Sequence, residues 1–151
     1  MITECYLKGR CDFGVGKCAV VVCEEGKIVF KVAWKVPDKW VTNGQTVVAD
    51  QFNCEIVAAT YALQWCIDSG RQLVNLHANT ATAQKWYFRG EFPDGRQALG
   101  NAYLAKKEEL QKKVDAALGE NVRDAVYADF IPKKSEVEAN IIVNKIAEEL
   151  R

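Results

Sequence analysis

Three β-forming runs crowd into residues 3–36 with only short, glycine-marked connections between them. Residues 3–8 read as a strand with Cys5 and Leu7 on one face, and Gly9 to Gly16 reads as a turn. Lys17 to Cys23 is a strongly β-forming run, Cys-Ala-Val-Val-Val-Cys at its centre. Glu25-Gly26 then turns the chain into Lys27 to Val36, where Ile28, Phe30 and Val32 share a face. Connections this short join only antiparallel neighbours, because a parallel pair needs a crossover of a dozen residues or more. The chain therefore opens as a three-stranded meander.

From there the pattern alternates between helix and strand. Pro37 to Gly44 reads as a loop carrying Trp40. Asp50 is a good N-cap, and Phe52, Ile56, Ala59, Leu63 and Cys66 repeat at helical spacing up to a stop at Ser69-Gly70. Leu73 to Ala78 is a short apolar strand; Asn79 or Thr80 is placed to cap a short helix through Trp86 and Tyr87. Gly90 to Gly95 is a turn segment. Gln97 to Leu118 is a long helix closed by Gly119, and a fifth strand in Val122 to Ile131 centres on Val126 to Phe130 and ends at Pro132. Ser135-Glu136-Val137-Glu138 has the form of a capping box opening a last helix. The order β-β-β-α-β-α-α-β-α specifies an α/β fold: a five-stranded mixed sheet, three meander strands plus two parallel ones, flanked by helices. Residues 1–151 form one domain, with no linker, repeat or low-complexity segment.

Lys+Arg and Asp+Glu are each 20, so bulk electrostatics do not favour nucleic acid, although Lys106, Lys107, Lys112 and Lys113 make a local basic cluster. No apolar run is long enough for a membrane span and the start does not resemble a signal peptide, so an intracellular, cytoplasmic protein is expected. Cys5, Cys11, Cys18, Cys23, Cys54 and Cys66 form no Cys-x-x-Cys and read as buried reduced thiols. His77 is the single histidine; in an apolar strand it reads as a hydrogen-bonded structural residue.

Several local motifs in this order resemble the ribonuclease H type I family. Tyr6-Leu7-Lys8-Gly9-Arg10-Cys11 is similar to the end of the family's first strand, and Asp50-Gln51-Phe52-Asn53-Cys54-Glu55 to the segment carrying its catalytic glutamate. Leu110 to Gly119 resembles the helix before the last strand, and Lys133 to Asn144 resembles, without gaps, the histidine-containing loop and final helix, Asn140 included. The resemblance covers nearly the whole chain. It implies cleavage of the RNA strand of RNA–DNA hybrids by two magnesium ions held on three aspartates and a glutamate, with a mobile histidine.

Carried over position by position, the glutamate falls on Glu55, the three aspartates on Lys8, Asn79 and Asn144, and the histidine on Lys134. An ammonium only donates and repels a divalent cation; an asparagine oxygen ligates without charge. This set does not hold two magnesium ions, so the expectation is a degenerate, non-cleaving site with no metal or other cofactor. Lys8 is expected to reach Glu55 and stand roughly where a metal would, relieving the cost of a lone buried carboxylate. Plainer readings stay open: Glu55 as a first-turn acid, Asn79 as an N-cap, Asn144 as a boundary residue. Asp12, Asp50 and Asp129 are the candidates for displaced carboxylates in a residual magnesium- or manganese-dependent nuclease. The leading expectation is binding of an RNA–DNA hybrid or RNA, with Gln51, Asn53, Thr80, Lys112 and Lys113 contributing. The alternative is a protein partner or second copy docking on a patch of Trp40, Trp86, Tyr87 and Phe88.

Overall fold

The computed structural model describes residues 1–151. Three long strands come first, β1 (Thr3–Asp12), β2 (Val15–Glu24) and β3 (Lys27–Val36), paired antiparallel as the meander. Two short strands follow, β4 (Lys39–Thr42) and β5 (Gln45–Val48), and then helix α1 (Gln51–Asp68). Strand β6 (Val74–Ala78) lies parallel to β1; after helix α2 (Gln97–Leu118), strand β7 (Val126–Phe130) lies parallel to β6. Helix α3 (Glu138–Glu149) ends the fold. The main sheet therefore runs β3-β2-β1-β6-β7. Helices α1 and α2 cover one face, and α3 covers the meander on the other.

The two faces follow from the period-2 alternation of the strands. Cys5 and Leu7 of β1 and Cys18, Val20 and Val22 of β2 enter the larger core with α1 and α2. Tyr6, Ala19, Val21 and Cys23 pack with Ala139, Val143 and Ala147 of α3. Strand β2 is buried on both faces, which is why its sequence is a continuous apolar run rather than an alternating one.

Several local expectations are corrected. Gly9 to Gly16 is not a turn: β1 continues to Asp12, and only Phe13-Gly14 turns the chain. Gly9 and Gly16 answer to close packing instead. A Cβ on Gly9 would stand 2.1 Å from the Gln51 carbonyl oxygen and 2.2 Å from the Glu55 nitrogen, and one on Gly16 would meet Val36 and Cys54. Pro37 to Gly44 is not a plain loop. It contains β4, which pairs through the Asn43-Gly44 turn with β5 as a separate hairpin. Asn43 Nδ2 donates to the Ala98 carbonyl at 3.1 Å, fastening the hairpin tip to the start of α2.

Neither Asn79 nor Thr80 caps the short helix, which is a single π turn, Gln84–Phe88, closed by Arg89 N–H on the Gln84 carbonyl. The Ser135 capping box does not form either, since α3 starts only at Glu138 with Val137 at its N-cap. The preceding loop wraps around the buried Asn140 amide, whose Nδ2 donates to the carbonyls of Pro132, Lys133 and Ser135 at 3.1–3.3 Å. That wrapping holds Ser135 outside the helix. The expected exposed aromatic patch is also absent as a patch: Trp86 and Tyr87 are buried, and Trp40 and Phe88 pack against the core.

Candidate functional site

The parallel pairing of β1 with β6 ends at Tyr6, so Lys8 projects beyond the C-terminal end of β6, into the gap where Asn79 and Thr80 leave that strand. The missing side chain of Gly9 lets the first turn of α1 press onto β1 and brings Glu55 to the same place. Asp50 secures that turn, its Oδ1 accepting from Asn53 N–H at 2.7 Å as the expected N-cap. Three segments far apart in sequence thus place Lys8, Glu55, Asn79 and Thr80 together.

Glu55 is 2 % exposed. Its Oε1 accepts from Thr80 Oγ1 and from Tyr87 Oη, both at 2.8 Å. Burial pushes the carboxyl up to about 7, against the downward pull of the Tyr87 and Thr80 hydrogen bonds and the Lys8 charge. Tyr87 is itself fully buried, its hydroxyl pushed well above the ordinary range by burial and then by the Glu55 charge.

Lys8 makes no direct hydrogen bond to Glu55. Its Nζ lies 3.5 Å from Asn79 Oδ1, a long contact, and the lysine acts on Glu55 through space. Burial lowers the Lys8 pKa, and repulsion from Lys133 lowers it further. Asn79 Nδ2 donates to the Ile131 carbonyl at 2.9 Å and to Asn140 Oδ1 at 3.1 Å, so Lys8, Asn79, Asn140 and the Lys133 backbone form one connected chain. Asn144 lies one helical turn beyond Asn140 and donates back to its carbonyl at 2.9 Å, while Asn144 Oδ1 is buried without a partner. Lys134 is exposed in the loop before α3.

This donor set does not fit a pair of magnesium ions. A single carboxyl that titrates near neutrality has one oxygen already occupied by two donors, and its nearest charged neighbour is an ammonium. No group of three or more His, Cys, Asp or Glu side chains is placed to hold a metal ion. The displaced carboxylates are engaged elsewhere: Asp12 with Arg10 and Lys17, Asp50 with Arg96, and Asp129 with the backbone of Phe130.

Of the remaining candidates, Gln51 is exposed at the start of α1. Asn53 is buried, donating to the Val48 carbonyl and accepting from Arg96. The basic cluster on α2 is partly neutralised: Lys106 pairs with Glu109, Lys112 pairs with Glu108, and Lys107 donates to the Phe88 carbonyl and lies over its ring. Lys113 is exposed. His77 stacks on Tyr6 with its Nε2 3.1 Å from Glu4, matching the structural role expected of it. Two contributors escape sequence reasoning. Tyr87 supplies a buried hydroxyl, and nothing in a five-residue π turn says which way it points. Arg96 joins Asp50 and Asn53 while lying over the rings of Phe52 and Trp86.

The sequence matches no protein-family model and no curated protein. Solved structures do match in fold. RNase H1 from the halophilic archaeon Halobacterium salinarum superposes with a TM-score of 0.68 at 14% identity, covering 99% of this chain and 96% of that one. The N-terminal RNase H domain of a Mycobacterium tuberculosis protein gives 0.67 at 8% identity over 97% and 94% of the two chains. LC11-RNase H1, from compost, gives 0.65 at 14% identity over 97% and 96%; it has also been solved in complex with an RNA/DNA hybrid. The chain is thus an α/β protein with the ribonuclease H fold over nearly its whole length.

Proposed function

We propose that this chain is a ribonuclease H-fold domain that binds RNA or an RNA–DNA hybrid by its backbone and does not cleave it by the two-metal route. The observation that carries the reading is the half-buried Lys8 ammonium, 3.5 Å from Asn79 and beside a Glu55 whose carboxyl is pushed up to about 7. A magnesium pair works by clamping the attacking and leaving oxygens of a phosphate. An ammonium supports only part of that role: it holds a phosphate oxygen by a charge-assisted hydrogen bond but activates no water. Lys8 suits that task because no carboxylate hydrogen-bonds it and Lys133 repels it, so an arriving phosphate relieves both. The fold likeness to a protein solved with an RNA/DNA hybrid supports the choice of ligand. A protein-docking role has less behind it, because two members of the aromatic patch that suggested it lie in the core.

The test is a labelled RNA–DNA hybrid incubated with wild type, Lys8→Gln and Glu55→Gln, with binding and cleavage read in the same samples. The expected result is binding without cleavage, weakened in Lys8→Gln and kept in Glu55→Gln. Magnesium-dependent cleavage that Glu55→Gln abolishes would overturn the reading in favour of a rebuilt nuclease. Absence of binding would overturn it altogether.

A further inference from the structure

The turn between β1 and β2 is built at odds with its own residues. Three two-residue turns in the chain share one left-handed geometry: Phe13-Gly14 (φ 52° and 77°), Glu25-Gly26 (52° and 77°) and Asn43-Gly44 (50° and 75°). Such turns favour Asn, Asp or Gly at the first position, and a bulky side chain there is strained. Asn43 obeys the preference; Glu25 and Phe13 both break it, and Phe13 alone does so with an apolar ring, which is fully exposed. Tyr61 and Tyr127, also exposed, at least lie against Trp34 and Phe88. A strained, solvated phenyl ring gives the fold nothing that explains its presence.

The strands leading to this turn carry a second anomaly. Their register sets Arg10 opposite Lys17 and Lys17 opposite Lys35, a row of three cations across β1, β2 and β3. Lys8 lies two residues before Arg10 on the same face of β1. Like charges directly opposite one another destabilise a sheet. Asp12 answers them within the row, its Oδ2 standing 2.6 Å from Arg10 and 3.3 Å from Lys17, and the charge of Glu148 on α3 also acts on Arg10. Lys35 is exposed. In a chain of zero net charge this is a local concentration of positive charge ending at an exposed ring.

We propose that the β1–β2 tip is a binding site for single-stranded nucleic acid, with a base stacked on Phe13 and the backbone phosphates on Arg10 and Lys35. The inference rests on the nucleic-acid reading above and places contacts outside the Lys8–Glu55 cluster. Single strands are held by this combination, an aromatic platform beside a cationic track. A duplex offers no free base face except at its ends, so the ring selects an unpaired segment.

The experiment is fluorescence anisotropy with a labelled single-stranded RNA of about 12 nucleotides, within the usual site sizes of such platforms, for wild type, Phe13→Asn and Lys35→Gln. Thermal unfolding of each variant is recorded alongside. Asparagine suits the left-handed position, so Phe13→Asn is expected to unfold at the wild-type temperature or above it while binding roughly tenfold more weakly. Lys35→Gln is expected to flatten the dependence of log K on log salt by about 0.7. Affinity undiminished in Phe13→Asn overturns the stacking site even if wild type binds well, and leaves the nucleic-acid reading standing. Wild type that binds neither the single strand nor the hybrid overturns both.

Discussion

The Glu55 carboxyl ties the stability of the protein to pH. Its folded pKa is raised from 4.5 to about 7, burial being the largest cause. Folding therefore favours the protonated form. This contribution is fully present below about 4.5, falls as pH rises, and is gone once pH passes about 7. A shift of this size corresponds to roughly 3 kcal/mol between the ends of the window. Asp12 and Glu24 titrate in a separate window, because their arginine partners hold them below the usual carboxylate range and their contributions vanish only in acid. Denaturant unfolding between pH 4.5 and pH 8 is expected to show wild-type stability declining, and Glu55→Gln is expected to remove most of that decline. Tyr87→Phe deletes one of the two donors on Oε1 and costs about 1–3 kcal/mol. It also moves the upper end of the window to higher pH, because the lost hydrogen bond favoured the ionised form. A Tyr87→Phe profile that leaves the window in place would show that this bond does not set the acidity of Glu55.

The approach of α1 to β1 governs whether the cluster exists at all, and it depends on Gly9. A methyl group at this position would lie 2.1–2.2 Å from the α1 backbone, so Gly9→Ala cannot be absorbed by a side-chain rotation; the helix has to move. Overpacking of this kind typically costs 1–3 kcal/mol, and here, against the backbone of α1 rather than a side chain that could turn away, about 3 kcal/mol or more is expected. Gly95→Ala, with open space around the new methyl, is the control and should stay within about 0.5 kcal/mol of wild type. Equal losses in the two variants would contradict the packing argument. The same glycine shows what is legible in the sequence at this scale. Periodicity and the Asp50 cap locate α1, and alternation locates the strands, because both signals are local. Gly9 and Gly16 look like turn punctuation because a sequence does not distinguish a glycine needed for left-handed backbone from one needed for room. The β4–β5 hairpin is different: Asn43-Gly44 between β-forming residues is a strong hairpin signal, and the proline at position 37 masks it by suggesting that a loop begins there. The Ser135 motif fails for a third reason, a tertiary one, since Asn140 holds the loop away from the helix.

At the scale of the whole molecule, strand order and layering follow from element order, since short connections and right-handed crossovers leave few ways to arrange a meander followed by β-α-β units. The positions of Lys8, Glu55 and Asn79 come from likeness to a family pattern; the hydrogen bonds among them do not, because each joins elements distant in sequence. Lys8 points to Asn79 rather than directly to Glu55, and the buried partner Tyr87 carries no mark in the sequence that it meets Glu55 there. The proposed nucleic-acid binding makes one demand on the protein as a whole: such an affinity should be set by the protein's own cations and gain nothing from magnesium. Hybrid binding measured with a chelator and with magnesium, at matched ionic strength, is expected to agree within about twofold, since a metal that bound only the complex would shift affinity by mass action. Raising salt should weaken binding in both, with a slope of about −0.9 in log K against log salt for each phosphate a cation meets. Lys8→Gln should reduce that slope by about one unit if Lys8 holds a phosphate. A strong gain in affinity with magnesium, lost again in Glu55→Gln, would mean that Glu55 ligates a metal once nucleic acid supplies the missing oxygens. The hydrogen bonds from Thr80 and Tyr87 would then have to give way to the ion.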